Sequence, residues 1–170
     1  MDLSGRCLFP HRKGRIERKE TVDLKNYTGT YTPSFPISAR PMGEIAGYPV
    51  RPGYFEDFGA TLLPVGVNFT VHTHHGTSCE LLLFHKGEEE PYAVLPFPAS
   101  YKIGDVYSMI VFGLNIEEFE YAYRVDGPSN PREGLLFDRK KILLDPYARA
   151  VVGKHAWGEK LEGNYRARVV

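Results

Sequence analysis

Between Phe58 and Gly127, apolar and polar residues alternate in short runs separated by turn residues. In "GVNFTVHT", Val67, Phe69 and Val71 fall on one face and Asn68, Thr70 and His72 on the other, the period of two expected of a strand. "CELLLF" is apolar on both faces, which suits a strand buried on two sides or lying beneath a neighbouring domain. "PYAVLPF", bounded by Pro91 and Pro96, and "VYSMIVF", followed by Gly113, predict two more strands. "FEYAYRVDG" alternates again, with Tyr121, Tyr123 and Val125 on one face and Arg124 and Asp126 on the other; Asp126-Gly127-Pro128 ends it with turn chemistry. "LNIEEFEY" comes nearest to a helical pattern but is too short to outweigh the strands beside it. Strands recurring about every dozen residues predict an all-β fold, an immunoglobulin-like antiparallel β-sandwich.

Outside that block the pattern dissolves. Residues 1–20 are polar and basic around "HRKGRIERKE" and read as a poorly ordered, solvated arm. Residues 21–52 hold many Pro, Gly, Ser and Thr and predict an extended, wrapped segment. We place the sandwich at 53–151. Residues 152–170 then read as the start of a connection leading out of it.

Charge and composition narrow the function classes. Of 170 residues, 21 are Lys or Arg and 21 are Asp or Glu, so no overall positive field exists to attract nucleic acid. No run approaches the roughly 18 apolar residues of a membrane span, and the first residues lack a signal-peptide core. Cys7 and Cys79 are too few and too far apart for a disulfide framework or a zinc site. The expectation is a soluble cytoplasmic protein with no cofactor, no nucleic-acid partner and no membrane partner.

Candidate chemistry is sparse. Glu88, Glu89 and Glu90, and then Glu117, Glu118 and Glu120, read as solvated loops or strand entries and not as a catalytic pair. His72 and His74 share a strand face and His85 could sit nearby, but no fourth ligand follows at a set spacing; a polar strand end is the simpler reading, and no metal is expected. Asp145-Pro146-Tyr147 has the makings of a structural turn: Asp bonds nearby N–H groups, Pro fixes φ, and the Tyr ring fills a gap. Tyr92, Phe97, Tyr101, Tyr107 and Trp157 are further aromatic candidates for a contact surface, although such rings more often serve a core.

Four segments in order carry a resemblance. "GYFEDFGATLLPVGVNFTVHT", "CELLLF", "YAYRVDGP" and "GLLFDRKKILLDPYARAV" resemble, with family-like spacing, the N-terminal module of bacterial glycogen debranching enzymes and isoamylases. The likeness covers roughly residues 53 to 151. It implies a carbohydrate-binding-module-like sandwich that precedes a (β/α)8 barrel hydrolysing α-1,6 branch linkages in glycogen. The barrel, of about 250 residues, would be the partner on the same polypeptide, so the 170-residue span carries no catalytic residues of its own. Arg124, Asp145 and Tyr147 are the residues expected to help dock the module on the barrel.

Glycogen or another α-glucan is a possible ligand, with Tyr92, Tyr101, Tyr107 and Trp157 as the candidate contacts. Against that, glycogen-binding relatives carry Trp, Lys and Trp where this chain has Gly87, Ala122 and Ser129. Branching enzymes fit less well, because their Trp-Ala-Pro strand and Phe-Asn-x-Trp turn are replaced by "VHTHHGT" and "LFHKGEE". A trehalose-forming relative and a free-standing glucan-binding module remain the alternatives.

Overall fold

The period-two pattern produces strands and no α-helix among the described residues. The computed structural model describes residues 40–153 and 165–170, which all belong to one unit, Ser34–Val170. In chain order the strands are β1 (Gly43–Ile45), β2 (Tyr48–Pro52), β3 (Gly59–Leu63), β4 (Gly66–His72), β5 (Ser78–His85), β6 (Pro91–Pro96), β7 (Lys102–Ile103), β8 (Val106–Phe112), β9 (Phe119–Asp126), β10 (Ser129–Asn130), β11 (Leu135–Leu136), β12 (Ala150–Gly153) and β13 (Tyr165–Arg168). One sheet runs β1-β2-β8-β4-β3, with β7 continuing the β2 edge of β8. The other runs β12-β13-β9-β5-β6, and β10 and β11 form a separate hairpin. All pairings are antiparallel.

Alternation decides what fills the space between the sheets. Val67, Phe69 and Val71 of β4 and Tyr107, Met109 and Val111 of β8 meet Cys79, Leu81 and Leu83 of β5 and Phe119, Tyr121, Tyr123 and Val125 of β9. Leu81 and Leu83 are fully buried, each removing enough apolar surface to contribute about 1.5–3 kcal/mol. Phe69 meets the Tyr121 ring edge-on, with centroids 5.2 Å apart. Burial pushes the Cys79 thiol well above its ordinary pKa, so it stays protonated.

"CELLLF" is indeed buried on both faces. Its outward residues Leu82 and Phe84 form a second cluster with Ala122, covered by Val94 and Ile142. The Arg166 guanidinium lies over the Phe84 ring at 4.0 Å. The cover therefore comes from the chain's own loop and last strand.

The segment boundaries shift from those expected. Residues 43–52, read as part of the extended segment, supply β1 and β2, and β2 pairs Val50 with Val111 of β8. Residues 165–168, read as part of a connection, form β13, which pairs Ala167 with Tyr121 and places Ala167 and Val169 in the core. Neither stretch has strong strand alternation. Each gains its strand geometry by lying on a sheet edge left open by its neighbours, a tertiary effect that local patterning does not report.

The polar face of β4 is the other departure. Asn68 and Thr70 are fully buried, together with Ser108 of β8. The main chain after β2 crosses over them. Tyr54 N–H donates to Asn68 Oδ1 (2.9 Å), and the Tyr54 carbonyl accepts from Asn68 Nδ2 (3.1 Å), Thr70 Oγ1 (2.9 Å) and Ser108 Oγ (3.1 Å). Gly53 permits the crossing, since a Cβ there would overlap Ser108 Oγ and Asn68 Oδ1.

Replacing Asn68 with Ala leaves the Tyr54 N–H without its acceptor, at a cost of about 1–3 kcal/mol. Urea unfolding should show that loss as a lower midpoint with an unchanged slope; an unchanged midpoint would contradict the role given to the crossing.

Candidate functional site

The sequence candidates separate into four places. Asp145 belongs to the module's own interior and is 2% exposed. Its Oδ2 accepts from the Tyr121 hydroxyl at 2.7 Å, its Oδ1 accepts from Tyr147 N–H at 2.8 Å, and its carbonyl accepts from Ala148 N–H at 3.1 Å. The expected turn is thus present, and Asp145 faces the sandwich. Burial raises its pKa, opposed by the hydrogen bonds from Tyr121 and Tyr147. The turn delivers Tyr147 to the surface, where its half-exposed ring stacks on Phe58 with centroids 5.0 Å apart and an interplanar angle of 25°. Gly59, at φ +85°, lets β3 begin beneath it; a Cβ there would press on Tyr147 at 3.0 Å.

Arg124 is engaged inside the module as well. Its Nη1 pairs with Glu80 Oε2 on the adjacent strand at 3.3 Å, where Arg124 and Glu80 stand directly opposite in register. Arg139, from the loop that covers Ala122, reaches the other oxygen of Glu80 at 2.7 Å. A carboxyl across a domain interface is not required to explain Arg124. Glu120 is likewise no solvated loop acid. It is 4% exposed, and Arg168 of β13 donates to its Oε1 from Nε (3.1 Å) and Nη2 (2.6 Å).

The aromatic candidates are not brought together. Tyr107 is 2% exposed, edge-on to Phe97 at 5.8 Å, so its ring is core and cannot receive a sugar. Alternation along β8 puts it on the inward face with Met109 and Val111. Tyr101 packs half-buried against the same core from a short 3-10 turn at Ala99–Tyr101. Trp157 lies outside the described residues. Tyr92 alone among the described candidates stays substantially open, at 38% exposure. His85, not paired with it in the sequence reading, stacks against it with centroids 4.2 Å apart and an angle of 22°. His85 thus lies on the sheet opposite β4, whereas His74 binds Asp105 at 2.8 Å. Among the described residues no group of three His, Cys, Asp or Glu could hold a metal.

Two clefts open on the surface. One, of about 440 Å³, is lined by the Lys86–Glu89 turn, Glu120, Val152, Gly153, Arg166 and Arg168. The other, of about 350 Å³, lies between His74, His75 and the Gly134–Phe137 segment. The glycogen-contacting positions named above are poorly placed for contact: Gly87 offers no side chain, and Ala122 is fully buried.

A two-sheet antiparallel sandwich of short strands defines the class: a β-sandwich module. Comparison with known proteins makes the family specific. Residues 57–148 match the profile of carbohydrate-binding module 48, the isoamylase N-terminal domain, and the chain belongs to that family. It is 37% identical over 116 residues to a glycogen debranching enzyme of Serratia proteamaculans, a match covering 68% of this chain and 17% of that protein. A glycogen debranching enzyme of Cronobacter sakazakii is 42% identical over 109 residues, covering 64% and 15%. A chloroplastic isoamylase of Zea mays is 33% identical over 109 residues, covering 62% and 14%. Among solved structures, a pullulanase of Paenibacillus barengoltzii matches at 18% identity and a TM-score of 0.49, covering 68% of this chain and 14% of that one. The matched region is about one sixth of the curated relatives' length.

Two substitutions test the Asp145 site. Tyr121→Phe should cost about 1.5–3 kcal/mol in urea unfolding, because a hydrogen bond to a buried carboxyl is lost. Tyr123→Phe should cost less, since the buried Tyr123 hydroxyl makes no hydrogen bond among the described residues. Equal costs would contradict the assignment.

The pH dependence of Asp145 follows from its raised pKa. The folded state favours the protonated carboxyl, so this group's contribution is complete below its unfolded pKa of about 3.9 and is lost as pH rises through the folded value. An Asp145→Asn variant, whose amide does not titrate, should therefore gain stability relative to the parent as pH rises from about 3 to about 7. A variant-minus-parent difference in stability that stays constant or falls as pH rises, measured by urea midpoints across that range, would contradict it.

Proposed function

We propose that this chain is the N-terminal module of a glycogen-debranching α-1,6-glucosidase and that it braces a catalytic (β/α)8 barrel on the same polypeptide. The observation that carries the reading is its 37–42% identity to glycogen debranching enzymes in which the matched region is only 15–17% of the protein. Hydrolysis of a glycosidic bond needs two carboxyl groups about 5–10 Å apart around the scissile bond. Among the described residues the buried acids Glu120 and Asp145 and the part-buried Glu80 are committed elsewhere: Glu80 and Glu120 to arginines, Asp145 to Tyr121. Chemistry is therefore assigned to the barrel, and the module contributes a rigid sandwich beside it. Tyr147 and Phe58, stacked and part-exposed, are the better docking candidates, since Asp145 is buried and Arg124, on the outer face of β9, is already paired with Glu80. A cytoplasmic setting fits the free, buried Cys79.

The gene provides the direct test. Reading on from the codon for Val170 should reveal an open frame with alternating strand and helix patterns and acidic residues at strand ends. A stop codon there would overturn the reading. In parallel, residues 1–170 incubated with glycogen should release no maltooligosaccharides, and release would equally overturn it.

A further inference from the structure

We infer that one margin of the sandwich, the open seam between β3 and β12, is the surface on which the barrel docks, through an apolar face of a helix in its outer ring. The partner rests on the debranching reading; the place rests on strand order, register and burial.

Strand order puts β3 and β12 at the ends of their sheets. The Asp145 loop shows that these ends share one side of the molecule. Leu143 bonds the edge of β9 that β13 also uses, and Asp145 accepts from Tyr121 of β9. A Cβ on Gly59 of β3 would meet the same carboxyl, at 3.5 Å from Oδ2.

Register then fixes which side chains point into the seam. Leu62 stands opposite Val67, and Val151 opposite Ala167; Val67 and Ala167 are both core residues. Residues directly opposed in an antiparallel pair share a face. Leu62 and Val151 therefore point inward, yet they are 50% and 48% exposed. The opposite margin differs. Ala93 and Leu95 of its terminal strand β6 are buried, and Ile45 of β1 packs on the core. Inward apolar residues are thus covered on one side of the sandwich and open on the other. Phe58 and its stacking partner Tyr147 continue the apolar surface at the start of β3. Covering these side chains removes apolar area from water, which favours a contact.

Tethering selects the occupant. In the curated relatives the matched region is about one sixth of the protein. On the debranching reading the barrel follows β13, which lies beside β12 at this margin. A linked partner meets the seam at an effective concentration in the millimolar range, far above that of a second free copy. The outer ring of such a barrel is helical, and a helix presents its apolar residues as a stripe, which fits a seam between two sheet margins. Arg149, exposed between Tyr147 and Val151, adds a positive charge at the rim, so an acidic residue beside that stripe completes the fit.

Amide hydrogen exchange on residues 1–170 and on the full-length protein tests the seam. Docking should slow exchange about tenfold or more at residues 59–63 and 147–153 of the full-length protein, and should leave residues 91–96 of the opposite margin within about twofold. Leu62→Glu combined with Val151→Glu should abolish that added protection in the full-length protein. Unchanged exchange at residues 78–85 of the central strand shows that the variant is folded; should it fail to fold, the comparison of the two parents decides the matter. Added protection confined to another face, or none at the seam, would overturn the proposal, as would undiminished protection in a folded double variant. Sedimentation of residues 1–170 as a dimer that the double substitution makes monomeric would also overturn it, since the occupant would then be a second copy. Each of these outcomes leaves the debranching reading standing, because the gene decides that reading; a stop codon after Val170 would overturn both.

Discussion

A buried hydrogen bond, from the Tyr121 hydroxyl to the Asp145 carboxyl at 2.7 Å, ties the last loop of the sandwich to its centre. Tyr121 belongs to β9, whose inward stripe fills the core and whose outer edge is shared by two chain segments. Leu143 exchanges two backbone hydrogen bonds with Tyr123, at 2.8 and 2.9 Å, and β13 pairs with Tyr121 through Ala167. With Asp145 anchored, Leu143 is held on that edge and Ile142 is held over Leu82, Phe84 and Ala122. The same anchor sets Tyr147 against Phe58. The core, the outer cover and the surface aromatic pair thus share one buried polar contact.

Much of the architecture was legible from period-two alternation. Val67, Phe69 and Val71, and Tyr121, Tyr123 and Val125, point inward as the pattern requires, and the doubly apolar "CELLLF" is buried on both sides. Less legible were elements whose conformation is imposed from a distance. β2 and β13 are strands because open edges of β8 and β9 offer them hydrogen bonds, and their own residues carry little pattern. Asn68 and Thr70 look like a solvent face, yet the Tyr54 main chain consumes their hydrogen-bonding capacity. Gly53, two residues past the Val-Arg pair of β2, was the available signal, since a glycine before a polar-faced strand allows a close backbone crossing.

Site residues were harder to read than strands, for a related reason. Charged residues on a strand find partners on the strand beside them, and the sequence does not state which strand that is. Arg124 and Glu80 are 44 positions apart, and Glu120 and Arg168 are 48 apart. Both pairs spend their charge within the module. Tyr92 was legible as an aromatic residue on a short strand bounded by Pro91 and Pro96; its partner His85 was not, because the two rings meet only through the pairing of β5 with β6.

The account's central claim is that the Asp-Pro-Tyr loop and the last strand are built into the sandwich and do not lead away from it. Native-state amide hydrogen exchange measures this most directly. Leu143 and Ala167 should be protected in the same slow class as Leu81 and Leu82 of the central strand. Exchange of Leu143 and Ala167 at the rates of open chain, while Leu81 and Leu82 remain protected, would contradict it.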